Sequence, residues 1–278
     1  MDKNAHPSMQ RLKTLWSRLD CAPDLTQASI GKAISLSALW IVLLWFFYHV
    51  PKLDVIVAGL FFHATDCANS ASQTVCGSFP VSQNSLAKLV RKLLFYLPHL
   101  ITLFLLVALI IKRIEANDKR VSEFPILKKC NRDWITKLSL TLLSVLIGPI
   151  FIVNVFLKEW SGRPRPMESN LFGGDLSFVP AGSFGGTCTG NCSFISGEAA
   201  GAGLLVCIIP LLPTVWRRRI GPPLMIASIA TPLLRVAFGG HYLSDALLGW
   251  LSSPVVFAWV FAIYHVRNRP QKRSYSGR

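Results

Sequence analysis

The chain has 278 residues, of which 51% are hydrophobic and only 15% are charged. This balance excludes an ordinary soluble domain and is typical of a polytopic membrane protein. The formal net charge is +15, but the basic residues collect in alternate loops, as the positive-inside rule expects of cytoplasmic segments. The charge pattern therefore indicates membrane topology, and no nucleic-acid partner is expected.

Residues 1–30 precede the first apolar run and form the first predicted segment. One helical face of this segment carries Met9, Leu12, Leu15, Trp16 and Leu19. Basic residues lie on its other faces. The pattern is compatible with a helix lying on the inner leaflet of the membrane or with a solvated cytoplasmic helix.

Six apolar runs follow this segment. Crossing about 30 Å of hydrocarbon takes about 20 residues in a helix, and the runs lie near 33–50, 93–111, 138–157, 198–213, 223–238 and 243–265. They predict an all-α bundle of six transmembrane helices over residues 31–266, followed by a basic tail over residues 267–278. The basic loops place both termini in the cytoplasm.

Three segments between the runs are expected to lie on the opposite side of the membrane. Residues 53–63 are apolar but too short to span, so they lie in the outer interface or re-enter the membrane. Residues 84–92 resemble an amphipathic lead-in to the second span. The loop 158–196 is rich in glycine and proline, and such a loop is a natural place for a site that meets a lipid headgroup.

The cysteines fit an outer, oxidising compartment. Of seven cysteines, Cys67 and Cys76 lie in one long outer loop and Cys188 and Cys192 in the other. Pairing within each loop would suit a periplasm. A zinc site is the alternative.

The first cluster of candidate site residues follows the third apolar run. Arginine grips phosphate with a planar fork of donors, and lysine supplies a mobile point charge. Lys158 and Arg165 can therefore converge on one phosphoryl group. The alternative is that both are interfacial anchors after a span, and Arg163 between them is assigned to that anchoring role.

A second cluster joins the fifth and sixth runs. Arg235 is followed by His241 and then by Asp245. A histidine four residues before an aspartate on a helix shares its face. Asp245 is therefore predicted to orient the imidazole, with the other ring nitrogen free to attack phosphorus. The alternative is a structural pair at a helix start.

The third cluster opens the fourth run. Ser196 and the amides of Gly197 and Glu198 begin a predicted helix, and a helix N-terminus favours an anion. The alternative is a plain N-cap serine. The order of the three clusters, on one side of the membrane, predicts a phosphatase site.

The combined pattern Lys-x6-Arg-Pro, Ser-Gly, Arg-x5-His-x3-Asp over residues 158–245 resembles the type 2 phosphatidic acid phosphatase (PAP2) superfamily. The resemblance implies that His241 forms a phosphohistidine, that Asp245 orients it, and that no metal or other cofactor is needed. The phosphate-binding residues that it implies are Lys158, Arg165, Ser196, Gly197 and Arg235.

The second motif departs from the family. Its usual wording is Pro-Ser-Gly-His, whereas this chain has Ile195-Ser196-Gly197-Glu198. The missing histidine is the presumed general acid of the family, and Glu198 is the candidate replacement. A phosphate dianion and burial would favour its protonated form, while neighbouring Lys and Arg favour the ionised form.

Weak general-acid catalysis is sufficient for a substrate with a good leaving group, such as a sugar anomeric phosphate or a prenyl diphosphate. The outer-loop wording Phe172-Gly173-Gly174 and residues 191–198 also resemble bacterial lipid A 1-phosphatases. The predicted substrate is therefore lipid A at its 1-phosphate, in a Gram-negative inner membrane with the site facing the periplasm.

Several other functions remain open on the sequence. Undecaprenyl diphosphate or phosphatidylglycerol phosphate could be the substrate, and a phosphotransferase could use the same phosphohistidine. A non-catalytic lipid-binding or transport protein is a different class of function. His241 and Asp245 argue against that class, since chemistry needs them and binding does not.

Overall fold

The computed structural model describes residues 29–67, 75–117 and 125–268. The amphipathic helix predicted within residues 1–30 lies outside the described residues, as do residues 269–278 of the predicted tail. The described residues therefore include the six apolar runs and, on the site side, the joining loops except residues 68–74.

The described chain is mainly helical. Its longer helices are α1 (Ile30–His49), α2 (Lys52–Gly59), α3 (Ser85–Asn117), α4 (Pro125–Val145), α5 (Gly197–Ile208), α6 (Thr214–Ala237) and α7 (Leu243–Arg267). Two short antiparallel strands, β1 (His63–Thr65) and β2 (Cys76–Ser78), pair with each other. Short helical turns cover Pro80–Gln83, Pro166–Glu168, Asn170–Phe172 and Ile209–Leu211.

The predicted all-α membrane fold is confirmed, and each of the six apolar runs contains a helix. Five stretches are long and apolar enough to cross a membrane: Ile30–His49, Ser85–Asn117, Cys130–Trp160, Thr214–Ala237 and Leu243–Arg267. The fourth run forms the shorter apolar helix Gly197–Leu211. The count of six spans therefore stays a prediction.

Helix α5 lies in the interior of the bundle, packed between α6 and α7. Gly203 allows the closest approach, because a Cβ at this position would collide with the backbone oxygen of Trp250. Two serine hydroxyls tie the neighbours to α5: Ser253 donates to the Ala200 carbonyl and Ser228 to the Ala202 carbonyl, each at 2.6 Å. Small and hydroxylated residues thus hold this interface together.

Helix α4 continues as a π-helix over Leu146–Leu157 and then as a short α-helical turn, Lys158–Trp160. Pro149 lies in the π-helical stretch. Its ring nitrogen carries no hydrogen and cannot complete the α-helical ladder. The Asn154 side chain instead donates to the Pro149 carbonyl at 2.7 Å. Asn154 and Lys158 both line a cleft at the end of the bundle, which is described below.

The loop 158–196 is packed against the end of the bundle. Phe172 joins a buried cluster with Ala58, Phe79 and Tyr242. Farther along, the Ser193 amide donates to the Arg163 carbonyl at 2.8 Å. The loop is therefore held in a defined position over the helix ends.

The outer cysteines pair within each loop, a connectivity that their spacing had left open. Cys67 is bonded to Cys76 and Cys188 to Cys192. The first bond ties the chain after β1 to the start of β2. The second closes a small ring within the outer loop.

Candidate active site

A cleft of about 520 Å³ lies at one end of the bundle. Its polar lining comes from Arg91, Asn154, Lys158, Arg165, Asn191, Glu198, Arg235 and His241. Arg165 and Asn191 lie in the outer loop, and the other residues lie near the start of α3, the end of the α4 continuation, the start of α5, the end of α6 and the turn before α7. Successive helices run in opposite directions, so the start of one helix lies beside the end of the next at this end of the bundle. The three predicted clusters therefore come together in the cleft.

Three predicted phosphate-binding cations line the cleft: Lys158, Arg165 and Arg235. Lys158 Nζ donates to Asn191 Oδ1 at 3.0 Å, and Arg165 Nη2 donates to the Asn191 carbonyl at 2.9 Å. Among the described residues, the Nε atoms of Arg165 and Arg235 are buried and have no hydrogen-bond partner. Buried donors of this kind normally have a partner, so the cleft is suited to an anion.

His241 is buried and lines the cleft. Its Nδ1 lies 2.8 Å from the Ser193 carbonyl. A carbonyl can only accept, so Nδ1 carries the proton and Nε2 keeps a free lone pair. Burial and the charges of Arg235, Arg165 and Lys158 lower the pKa of His241 well below its usual value, against a smaller opposing effect of the Ser193 hydrogen bond. The imidazole is therefore in the form that a nucleophile needs.

The expected direct contact of Asp245 with His241 is wrong. His241 precedes α7, whose N-cap is Tyr242, so the two residues do not share a helical face. Asp245 Oδ2 accepts from the Ser193 hydroxyl at 2.6 Å and from the Tyr242 amide at 3.1 Å. In the part of the chain that the structure describes, no hydrogen bond joins Asp245 to His241. Ser193, which the sequence reasoning missed, lies between them.

The turn before α7 explains this change. Gly239 adopts a positive φ of 65°, a conformation that glycine accepts readily. At Gly240 a Cβ would lie 2.6 Å from Arg235 Nη2. The two glycines end α6 sharply and leave room for the arginine, and they keep His241 outside the next helix.

The anchoring role expected for Arg163 is also wrong. Its side chain is fully buried. Nη1 lies 2.5 Å from Asp245 Oδ1, and Nη2 lies 2.8 Å from Asp54 Oδ2. The guanidinium also lies over the Tyr242 ring, 4.5 Å from its centroid. A single acid in the apolar segment 53–63 was the available signal, because a buried charge needs a partner.

Asp54 extends this network to α7. It accepts from the Ser244 amide at 2.8 Å and from the Ser244 hydroxyl at 2.6 Å. Burial lowers the pKa of Arg163, but the charges of Asp245 and Asp54 outweigh that effect and raise it overall. The short helix α2 is thus fixed to the segment that carries His241.

Ser196 is the N-cap of α5, as the alternative interpretation had it. Its Oγ accepts from the Ala199 amide at 3.3 Å, and the residue is fully buried. Ser196 is not among the residues that line the cleft, whereas Gly197 is. The expected contact of the Ser196 hydroxyl with phosphate is therefore not part of this arrangement, because that hydroxyl caps the helix.

Glu198 lies in the cleft and is bound by an arginine that the sequence reasoning missed. Arg91 Nη2 lies 2.7 Å from Glu198 Oε1, and Arg91 Nε lies 3.4 Å from Oε2. Arg235 Nε lies 3.5 Å from Oε1. These contacts suit a carboxylate that accepts hydrogen bonds. The general-acid role of Glu198 stays a prediction.

The chain is similar to a known protein family and to named relatives. The family model described as the PAP2 superfamily matches residues 137–269. A lipid A 4'-phosphatase of Rhizobium etli is 42% identical over 238 residues, which cover 85% of this chain and 89% of the relative. The chain belongs to the PAP2 superfamily. It is a membrane lipid phosphatase.

Two further PAP2 relatives share that name. The lipid A 4'-phosphatase of Rhizobium leguminosarum is 42% identical and covers 81% of this chain and 93% of its own. That of Francisella tularensis subsp. novicida is 27% identical, with 78% and 90% covered. Among solved structures, the PAP2-type phosphatidylglycerolphosphate phosphatase of Bacillus subtilis is similar with a TM-score of 0.45 and 16% identity, covering 86% of this chain and 99% of that one.

The predicted independence of this PAP2 phosphatase from metals stays a prediction. Within residues 29–67, 75–117 and 125–268 no group of three or more His, Cys, Asp and Glu side chains could hold a metal ion. The charge in the cleft comes instead from Lys158, Arg165, Arg235 and Arg91. Sensitivity to a chelator is the direct test.

Proposed function

We propose that this protein hydrolyses a phosphate monoester of lipid A through a phosphohistidine at His241. The observation that carries the proposal is the imidazole of His241, neutral and held through Nδ1, in a cleft that also contains Lys158, Arg165 and Arg235. A neutral imidazole is a nucleophile, and cations stabilise the charge that develops on the phosphoryl oxygens.

The reaction has two steps. His241 Nε2 forms a bond to phosphorus while the bond between phosphorus and the sugar oxygen breaks, and that oxygen takes a proton from a water molecule and leaves as an alcohol. The proton that the attacking water loses in the second step neutralises the hydroxide left behind. Water then attacks the phosphohistidine, which releases inorganic phosphate and restores the neutral imidazole. Lys158, Arg165 and Arg235 bind the phosphoryl oxygens in both steps.

The position on lipid A is the finer part of the proposal. The leaving-group argument favoured the 1-phosphate. The names of the three relatives favour the 4'-phosphate, and two of those relatives are 42% identical to this chain. We therefore propose that the protein removes the 4'-phosphate, which is a monoester of a secondary alcohol.

We also propose that the cleft opens at the periplasmic face of a bacterial inner membrane, with both termini in the cytoplasm. The positive-inside rule supports this orientation. Further support comes from the disulfides near the cleft, which persist in oxidising compartments. Cysteine substitutions at the two ends of the helices, labelled in intact cells by an impermeant thiol reagent, would test it.

The activity is tested with purified protein in detergent and excess EDTA. The substrates are lipid A with both phosphates, lipid A with the 1-phosphate alone and lipid A with the 4'-phosphate alone. Phosphate release and the mass of the lipid product are measured. We expect release from the two lipids that carry the 4'-phosphate, whereas release from the 1-phosphate lipid would restore the original prediction.

Two variants and two other lipids complete the test. His241→Gln should abolish release, while His265→Gln, near the far end of α7, should retain it. Undecaprenyl diphosphate and phosphatidylglycerol phosphate are assayed in parallel, because turnover of either one instead of lipid A would contradict the proposal. Labelled phosphate that appears on an acceptor lipid would indicate a phosphotransferase.

A further inference from the structure

Arg91 differs from its basic neighbours. Lys88 and Lys92 on the same helix are exposed, whereas Arg91 is partly buried and lines the cleft. It also lies outside residues 137–269, the part of the chain that matches the PAP2 family model. The site therefore contains a cation that the family motifs do not supply.

The partner of Arg91 is the residue that departs from the family pattern. Glu198 stands where PAP2 proteins usually have histidine, and its side chain is only 12% exposed. Arg91 Nη2 and Nε reach its two oxygens at 2.7 and 3.4 Å. An added arginine is thus paired with an added carboxylate.

The added carboxylate creates an electrostatic problem. Glu198 lies 3.5 Å from the Nε of Arg235, one of the cations expected to bind phosphate. In a partly buried site a carboxylate repels a phosphate dianion and competes with it for the same guanidinium. An unpaired Glu198 would therefore weaken phosphate binding.

We propose that Arg91 is a positioning residue, which binds Glu198 and leaves the Arg235 guanidinium available to the phosphoryl group. The proposal rests on the phosphatase function proposed above. Its physical basis is charge balance: Arg91 neutralises Glu198, so Lys158, Arg165 and Arg235 keep their full charge for the substrate. Without Arg91, the carboxylate, which already lies 3.5 Å from Arg235 Nε, has that guanidinium as its remaining partner among the described residues.

A double-mutant cycle on phosphate binding tests this directly. Binding of inorganic phosphate to the purified protein is measured by titration calorimetry for the wild type, Arg91→Gln, Glu198→Gln and the double variant. We expect Arg91→Gln to weaken binding by about tenfold, the scale of one close charge interaction in a partly buried site. In the Glu198→Gln background, the same change should have little effect, because there is no carboxylate to neutralise.

The matched control is Lys92→Gln, which removes the same charge from the exposed neighbour of Arg91 and should leave phosphate binding unchanged. Arg91→Lys should restore part of the loss, since lysine keeps the charge but not the fork of donors. In turnover, Arg91→Gln should raise KM much more than it lowers kcat. Thermal melting of each variant reports whether it is folded.

Two results would overturn the proposal. If Arg91→Gln weakens phosphate binding equally in the Glu198→Gln background, Arg91 contacts the phosphate itself. If Glu198→Gln alone abolishes kcat, the carboxylate acts in proton transfer. The two proposals can fail separately. If the four proteins bind phosphate as expected but lipid A is not hydrolysed, only the proposed function is refuted. If lipid A is hydrolysed but the effects of the two substitutions on phosphate binding are additive, only the role of Arg91 is refuted.

Discussion

Arg163 and Asp245 form a fully buried ion pair, with 2.5 Å between Nη1 and Oδ1. The same carboxylate accepts from the Ser193 hydroxyl, and the Ser193 carbonyl accepts from His241 Nδ1. Asp54 completes the charge balance on the other side of Arg163. His241, the proposed nucleophile, is therefore oriented by a chain of buried contacts that begins in the short helix α2.

Removal of Arg163 should destabilise the whole fold. Arg163→Ala leaves the carboxylates of Asp54 and Asp245 buried without their cation, and breaking such a pair costs about 3–5 kcal/mol. We expect a clear drop in the melting temperature of the detergent-solubilised protein. The control is Arg218→Ala, an exposed arginine of α6, which should melt with the wild type. An unchanged melting temperature for Arg163→Ala would contradict the assigned network.

The pH dependence of turnover should reflect the environment of His241. Burial and then Arg235, Arg165 and Lys158 lower the pKa of His241. A lowered pKa keeps the imidazole neutral as the pH falls, so activity should persist below pH 6.5, the ordinary value for histidine. The acid limb of kcat/KM against pH is the measurement.

A comparison of variants separates the enzyme from the substrate, whose phosphate also titrates near pH 6. Arg235→Gln removes one of the charges that lower the pKa of His241, so its acid limb should move to higher pH. Arg218→Gln, at an exposed position of α6, should leave the limb in place. If the acid limb of kcat/KM lies at the same pH in the wild type and in both variants, this account of His241 is contradicted.

Gly240 should be required for the position of Arg235. A Cβ at Gly240 would lie 2.6 Å from Arg235 Nη2 and 2.9 Å from its Cζ, so Gly240→Ala must displace the guanidinium. We expect KM to rise by at least about tenfold, as for other lost interactions of a charged donor. Gly185→Ala is the control, since a Cβ there meets nothing closer than 3.9 Å. Wild-type kinetics for Gly240→Ala would show that the arginine does not need this space.

The Cys188–Cys192 disulfide should matter for substrate binding more than for stability. Asn191 lies inside the small ring that it closes and accepts hydrogen bonds from Lys158 and Arg165. Short rings contribute little to stability through chain entropy. Replacing both cysteines by serine should therefore raise KM while leaving the melting temperature nearly unchanged.

The second disulfide supplies the matched control. Cys67 and Cys76 join the region of the two strands, and neither residue lines the cleft. Serine at both of these positions should leave KM near the wild-type value. Equal kinetic effects of the two double substitutions would indicate that Asn191 is not positioned by its ring.

Much of the cleft could be predicted from the sequence because its residues follow spaced motifs at helix ends. Lys158, Arg165, Arg235 and His241 lie together as expected. The motifs did not indicate Arg91, because the sequence does not distinguish it from the other basic residues of the amphipathic segment 84–92. Only its packing next to Glu198 distinguishes it from Lys88 and Lys92.

The two errors had different origins, one in a local turn and the other in a long-range contact. The spacing of His241 and Asp245 fits one helical face, but Gly239 and Gly240 turn the chain before the helix starts, and Tyr242 becomes the N-cap. Arg163 follows a span as an anchor would. Its burial depends on Asp54, which lies 109 residues away in the sequence.

The sequence by itself determined the membrane-spanning helical class, the placement of four cysteines in the outer loops, and three cations of the cleft, Lys158, Arg165 and Arg235. Hydropathy, cysteine placement and motif spacing are local properties of the chain, and each has a direct physical consequence. Only the tertiary structure decided the partners of buried charges. A charge removed from water takes the nearest opposite charge in space, and that neighbour is set by how the helices and loops pack.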